Sequence, residues 1–144
     1  MEAPIHPLEP ADLELVEAAR DALRRNEHPD RHGVGAAVRC GSGRVYAGIN
    51  VEACPSGPCA EPVAIGTALT AGERRFVAIA AATHRGDDFP VIPPCGSCRQ
   101  LLVDYAPECM VILDSGGELV KVKAIDLLPM PYRCGFRGYD EGDR

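Results

Sequence analysis

Aromatic residues are scarce in this 144-residue chain: it has no tryptophan, three phenylalanines and four tyrosines. Basic residues are also in deficit, with 15 Lys and Arg against 21 Asp and Glu, a formal net charge of −6. A protein that binds single-stranded nucleic acid needs stacking rings and a cationic groove, and one that binds duplexes needs a cationic surface. Both are disfavoured, although the local pairs Arg24-Arg25 and Arg74-Arg75 stand out. No apolar run approaches the roughly 20 residues that cross a bilayer. The opening "MEAPIHPLEP" has neither the basic start nor the apolar core of a secretory signal, so a cytoplasmic protein is expected. Repeats, linkers and low-complexity segments are absent, and 46% hydrophobic residues suffice for one packed core. A single domain over 1–144 is the expectation, with 1–10 and the polar 137–144 peripheral or mobile.

Seven cysteines, at positions 40, 54, 59, 95, 98, 109 and 134, are an odd number in a chain without an export signal, which argues against a disulfide framework. Cys40 and Cys109 sit among strand-like residues and read as small buried hydrophobes. Cys59, Cys95 and Cys98 need a different account.

The stretch 11–25 carries apolar Leu13, Val16, Ala19 and Leu23 on roughly one helical face, with Asp12 as the candidate cap. Strand-like 33–40 and 44–51 flank Gly41-Ser42-Gly43, a hairpin signature, although their glycines and alanines weaken strand propensity. Residues 60–69 form an apolar helix, and Pro62 confines its start, because proline is tolerated only in the first turn. A buried strand (76–83), a loop with three prolines and a helix from the cysteines at 95 and 98 follow. The last two strands, "MVILDS" and "ELVKVKA", are separated by Gly116-Gly117, too short a gap for anything but antiparallel neighbours, and 125–129 reads as a helical turn. The order α-β-β-α-β-α-β-β implies an α/β fold of three layers, α/β/α, around a mixed five-stranded sheet.

Two helices that each begin at a cysteine can bring three thiolates to one point. Cys95 and Cys98 share the first turn of one helix, and Cys59 supplies a third ligand from another. Soft thiolates select zinc, and three protein ligands leave a fourth position for water, as in catalytic rather than structural sites. A redox CxxC pair, or a structural zinc that recruits Cys54, stays open on the cysteines alone, but a second CxxC is missing. Glu61, two residues beyond Cys59, would then stand beside the metal's water as a proton acceptor, or else merely complement the helix dipole.

The ordered set "VGAA" (34–37), "GINVE" (48–52), "CAE" (59–61), "DDF" (87–89), "PCGSCRQ" (94–100) and "DLLP" (126–129) resembles the zinc-dependent cytidine deaminase superfamily across most of the chain. The resemblance implies a cytidine deaminase-like fold, one Zn2+ per chain on Cys59, Cys95 and Cys98, and hydrolytic deamination of a cytosine nucleoside in pyrimidine salvage. Glu61 would shuttle protons, Asn50 and Glu52 would hold ribose hydroxyls, and Ala60 would lend backbone groups to the pyrimidine. Tyr132 is similar to an aromatic that reaches a neighbouring subunit's site, and the family's small members are commonly homotetramers, with a dimer as the alternative. The chain departs from that pattern at His32, where a phenylalanine is usual, and at Pro62, where arginine usually follows "CAE". Three thiolates on zinc carry a net −1 and Glu61 adds another, so Arg99 is expected to supply positive charge. "GPCAE" is more similar to blasticidin S deaminase, whereas Glu52 is the cytidine enzymes' residue. The implied partner is a small-molecule nucleoside, with cytidine or deoxycytidine first, a modified cytosine nucleoside such as blasticidin S second, and a noncatalytic zinc module third.

Overall fold

Proline placement decides where the helices begin. In the computed structural model, which describes residues 2–135, Pro10 opens α1 (Pro10–Asn26), where its missing amide hydrogen costs nothing. The cap is therefore Glu9 and not Asp12 as the periodicity predicts. Asp12 lies one turn in and accepts the Glu9 backbone N–H at 2.8 Å. Its carboxylate is fully buried, bonded to Lys121 Nζ at 2.8 Å and to the Arg39 guanidinium at 3.0 Å, so it ties α1 to two strands.

The strands are β1 (Val34–Cys40), β2 (Val45–Ile49), β3 (Phe76–Thr83), β4 (Met110–Ser115) and β5 (Glu118–Lys123); α2 is Ala60–Thr70 and α3 Gly96–Tyr105. They form one mixed sheet in the order β2-β1-β3-β4-β5. β1 is antiparallel to both of its neighbours, β3 and β4 are parallel, and the Gly116-Gly117 hairpin makes β4 and β5 antiparallel. The β3–β4 crossover runs through α3, the length of chain that a parallel pair requires. Residues 124–127 form a 3-10 turn after β5. Near the N-terminus, the His6 backbone N–H pairs with Lys121 O at the β5 edge; the polar tail 137–144 lies outside the described residues.

Helices cover both faces. Leu15, Val16 and Ala19 of α1 pack with Ala37, Ala78, Ala80 and Ile112 on one side. On the other, Ala64, Ile65 and Ala68 of α2 and Leu102 of α3 pack with Ala36, Val38, Ile79 and Val111, and Cys40 and Cys109 are buried in this layer. Burial raises both thiols to about 12, which leaves them inert packing groups. The small residues that depress strand propensity here permit close approach: a Cβ on Gly35 would lie 2.4 Å from Ala19 O of α1, and one on Gly48 2.5 Å from Ala64 N of α2.

Candidate active site

The site forms where α2 and α3 begin. Cys59 and Cys95 are the N-caps of the two helices, with extended backbone, and Cys98 lies in the first turn of α3. Pro62 falls in the first turn of α2, so Cys59 and Glu61 stay at the helix start. The approach to α3 is equally constrained. Thr83 N–H donates to Pro90 O and Ile92 N–H to Ala81 O, so the proline-rich segment runs back along the end of β3 and delivers Cys95 beside α2.

The three Sγ atoms lie within 4.8 Å of one another, and the Cys59–Cys95 pair is 3.7 Å apart. Zn–S bonds of about 2.3 Å in a tetrahedron require S···S edges of about 3.8 Å. The donor set therefore fits one Zn2+, and among the described residues no fourth His, Cys, Asp or Glu joins the cluster. Cys54 is exposed and outside it.

Glu61 is 5% exposed, and its Oε2 accepts from Cys98 Sγ at 3.5 Å. Burial raises its carboxyl above the ordinary carboxylate range, against the partial relief of its own backbone N–H and the Cys98 thiol. Burial, then the Glu61 charge, pushes the Cys98 thiol up. The Cys59 thiol is also raised, by burial and then by Cys95. At Cys95 burial acts upward, but the Cys98 amide and neighbouring thiols and amides win and lower it. A divalent cation at the centre of the three sulfurs overrides these preferences, because a coordinating thiol gives up its proton outright.

A pocket of about 230 Å3 opens onto Cys59, Cys95 and Glu61, with Asn50, Glu52 and Ala60 on its wall. The remaining wall is apolar: Val34, Pro58, Ile92 and Pro93. Among the described residues no Lys, Arg or His lines it. Sequence reasoning passed over Val34, Gly57, Pro58, Ile92 and Pro93; their one available signal was adjacency to the "VGAA", "CAE" and "PCGSC" motifs.

Asn50 is more constrained than a ribose ligand needs to be. Its Oδ1 accepts from the Gly33 and Val34 amides, at 2.9 and 3.0 Å, and its Nδ2 donates to Arg31 O and to Glu52 Oε1, each at 3.2 Å. All four hydrogen-bond positions of the amide are filled. Asn50 thereby orients Glu52, which is exposed. His32 does not line the pocket; its Nδ1 donates to Asn50 O at 2.8 Å and pins the same turn.

Arg99 donates Nε to Pro94 O at 2.8 Å and Nη1 to Leu127 O at 3.0 Å, clamping the residue before Cys95 to the 124–127 turn. Tyr132 stands apart from the site within its own chain: its side chain is 75% exposed, and its backbone carbonyl accepts from Gln100 Nε2 at 2.9 Å.

Known proteins resemble the chain in sequence and fold. Residues 10–114 match the model for the cytidine and deoxycytidylate deaminase zinc-binding region. The chain is 38% identical over 128 residues to a blasticidin-S deaminase of Bacillus cereus, covering 84% of this chain and 91% of that one. It is 36% identical over 103 residues to a cytidine deaminase of Halalkalibacterium halodurans, covering 69% and 76%. A cytidine deaminase crystal structure from Burkholderia pseudomallei superposes with a TM-score of 0.70 at 36% identity, over 83% of this chain and 98% of that one. With the mixed sheet, the three-thiol cluster and these matches together, the chain belongs to the zinc-dependent cytidine deaminase superfamily and is a hydrolytic nucleoside deaminase.

Proposed function

We propose that this chain converts cytidine or deoxycytidine, with one water, to the corresponding uracil nucleoside and ammonia, as a cytoplasmic step of pyrimidine salvage. The observation that carries the reading is the buried Glu61 carboxyl, which meets the Cys98 thiol of the three-sulfur cluster and lines one pocket with Cys59 and Cys95. Cys59, Cys95 and Cys98 would hold the zinc. When bound, the metal supplies Lewis acidity that makes hydroxide available from water near neutral pH.

The chain's own groups do the rest. Glu61, whose carboxyl burial raises, moves two protons in turn: it accepts one from water and passes it to the ring nitrogen, then takes the proton of the hydroxyl newly added to the ring carbon and passes it to the departing amine. The start of α2 presents backbone N–H groups without intrahelical partners beside the pyrimidine at Ala60. Val34, Ile92 and the prolines exclude water from the ring. Glu52, oriented by Asn50, accepts from a sugar hydroxyl at the rim. Among the described residues no Lys, Arg or His stands on the wall, which favours an unphosphorylated nucleoside over a nucleotide.

A second reading, deamination of blasticidin S, is favoured by the 38% identity to the Bacillus cereus enzyme. The test is ultraviolet absorbance with cytidine, deoxycytidine, cytosine, deoxycytidylate and blasticidin S, each with the zinc-loaded protein. Cytidine or deoxycytidine is expected to give the highest kcat/KM. Turnover of blasticidin S alone would replace the first reading by the second, and zinc binding with no turnover of any of the five would overturn both.

A further inference from the structure

Between β2 and α2 the chain crosses the site as an irregular strap, residues 50–59, that carries Glu52 near one end and Cys59 at the other. Two contacts close it. Val51 N–H donates to Pro58 O at 3.0 Å. Gly57 is pressed against the same residue: a Cβ built on it would lie 1.7 Å from Val51 O and 2.6 Å from Val51 C. Both obstructing atoms are backbone, so no side-chain rotation relieves the clash. Gly57 is not among the residues with positive φ, so proximity alone demands the glycine. Beyond Val51, Asn50 is fixed by its four side-chain hydrogen bonds. The near end of the strap is thus anchored to the β1 entry, and any displacement at Gly57 is passed toward Pro58 and Cys59.

We propose that Gly57 is a positioning residue: its backbone contact with Val51 sets the separation between the Glu52 carboxylate and the Cys59 thiol, and so couples metal loading to recognition of the sugar. The assignment of Glu52 to the sugar rests on the proposed function; the contact at Gly57 does not. A longer gap between the two groups would leave a nucleoside able to reach either the metal end or the rim acceptor but not both. Pro58, which cannot donate a hydrogen bond and has a fixed φ, limits the strap's means of absorbing the change.

Gly57→Ala, the smallest side chain that creates the clash, tests this in two ways. Zinc affinity by competition with a chromogenic chelator is expected to fall by about tenfold or more, because one ligand is displaced. In the zinc-saturated protein, KM for the nucleoside is expected to rise by about tenfold, but adding Gly57→Ala to Glu52→Gln is expected to raise it less than about twofold further. A merely structural glycine would give equal effects in both backgrounds. Unchanged zinc affinity together with additive KM effects would overturn the proposal.

If Gly57→Ala does not fold, the unaltered chain answers instead. Residue-resolved amide exchange at Val51 is expected to slow by about tenfold or more when zinc fixes the far end of the strap. Equal exchange with and without zinc would overturn the coupling. Because zinc affinity and amide exchange need no substrate, they decide the strap even if no cytosine nucleoside is turned over, an outcome that would sink only the proposed function.

Discussion

Glu61 sits two residues beyond Cys59 and Arg99 one beyond Cys98, yet the structure gives them opposite surroundings. Glu61 is buried against a ligand thiol and has no cationic partner among the described residues, an arrangement that spends stability to hold a proton-transfer group. Glu61→Gln keeps the shape and a hydrogen-bond acceptor but cannot exchange protons. It is expected to retain one zinc per chain by elemental analysis and to lose kcat by about 100- to 10,000-fold, the usual share of general acid–base catalysis. Arg99 instead spends its fork on two carbonyls. Arg99→Gln should weaken zinc retention in dialysis, and Arg99→Lys separates the causes. If charge is what matters lysine retains the metal; if the fork holds Pro94 and hence Cys95 in place, lysine fails like glutamine, since an ammonium cannot reproduce two planar donors. The Pro94 bond favours the second outcome. These residues were legible because their spacing to cysteines is local. The saturation of Asn50 was not, because its partners at Gly33 and Val34 lie 17 and 16 residues away and meet it only through the hairpin.

At the level of elements, residue pattern recovered every helix and strand in order, and turn chemistry explains why. Gly41-Ser42-Gly43 and Gly116-Gly117 leave room only for hairpins, and prolines limit where the helices start. The same reasoning misplaced the α1 cap, because Asp12 satisfies the composition of an N-cap while its function is long-range. That carboxylate faces Lys121 from β5 and Arg39 from β1, and the Glu9 amide from its own helix. Burial acts to raise its pKa, but the bonds from Lys121, Glu9 and Arg39 outweigh burial and leave it below 3.8. A depressed folded-state pKa contributes stability that is complete above the unfolded value and is lost as pH falls from there through the folded value. Asp12→Asn leaves Lys121 and Arg39 uncompensated, so thermal or urea unfolding at pH 7 is expected to show a loss of about 3 kcal/mol. Below about pH 4 the gap between the variant and the parent should narrow, because the parent's carboxylate is then titrating away; a gap independent of pH would show that the pair contributes only packing. Gly35 offers a control without charge. Gly35→Ala drives a methyl into Ala19 O and is expected to cost about 1–3 kcal/mol at every pH.

For the whole molecule, one sequence determines the topology of a chain more readily than the company it keeps. The sheet order follows from connections that are short or long; which surface meets a second copy does not. Met130 and Tyr132 are 97% and 75% exposed, on a segment held to α3 by Gln100 and, through the Cys134 thiol, by Asp104. Two large exposed side chains on a segment fixed by hydrogen bonds are available to a second copy of the chain. The homotetramer that the family resemblance implies would cover them by placing Tyr132 against a neighbour's pocket. Tyr132→Ala should then leave zinc content and the far-ultraviolet spectrum unchanged while lowering kcat/KM. Mixing makes the test decisive. Glu61→Gln and Tyr132→Ala chains are each impaired for different reasons. If Tyr132 serves a neighbour, an assembly re-formed from both contains pockets with an intact Glu61 and a tyrosine contributed by the other chain. Activity of the co-assembled pair above the average of the two separate variants is the expected result. Activity equal to that average would confine Tyr132 to its own chain, where its exposure leaves it without a catalytic part.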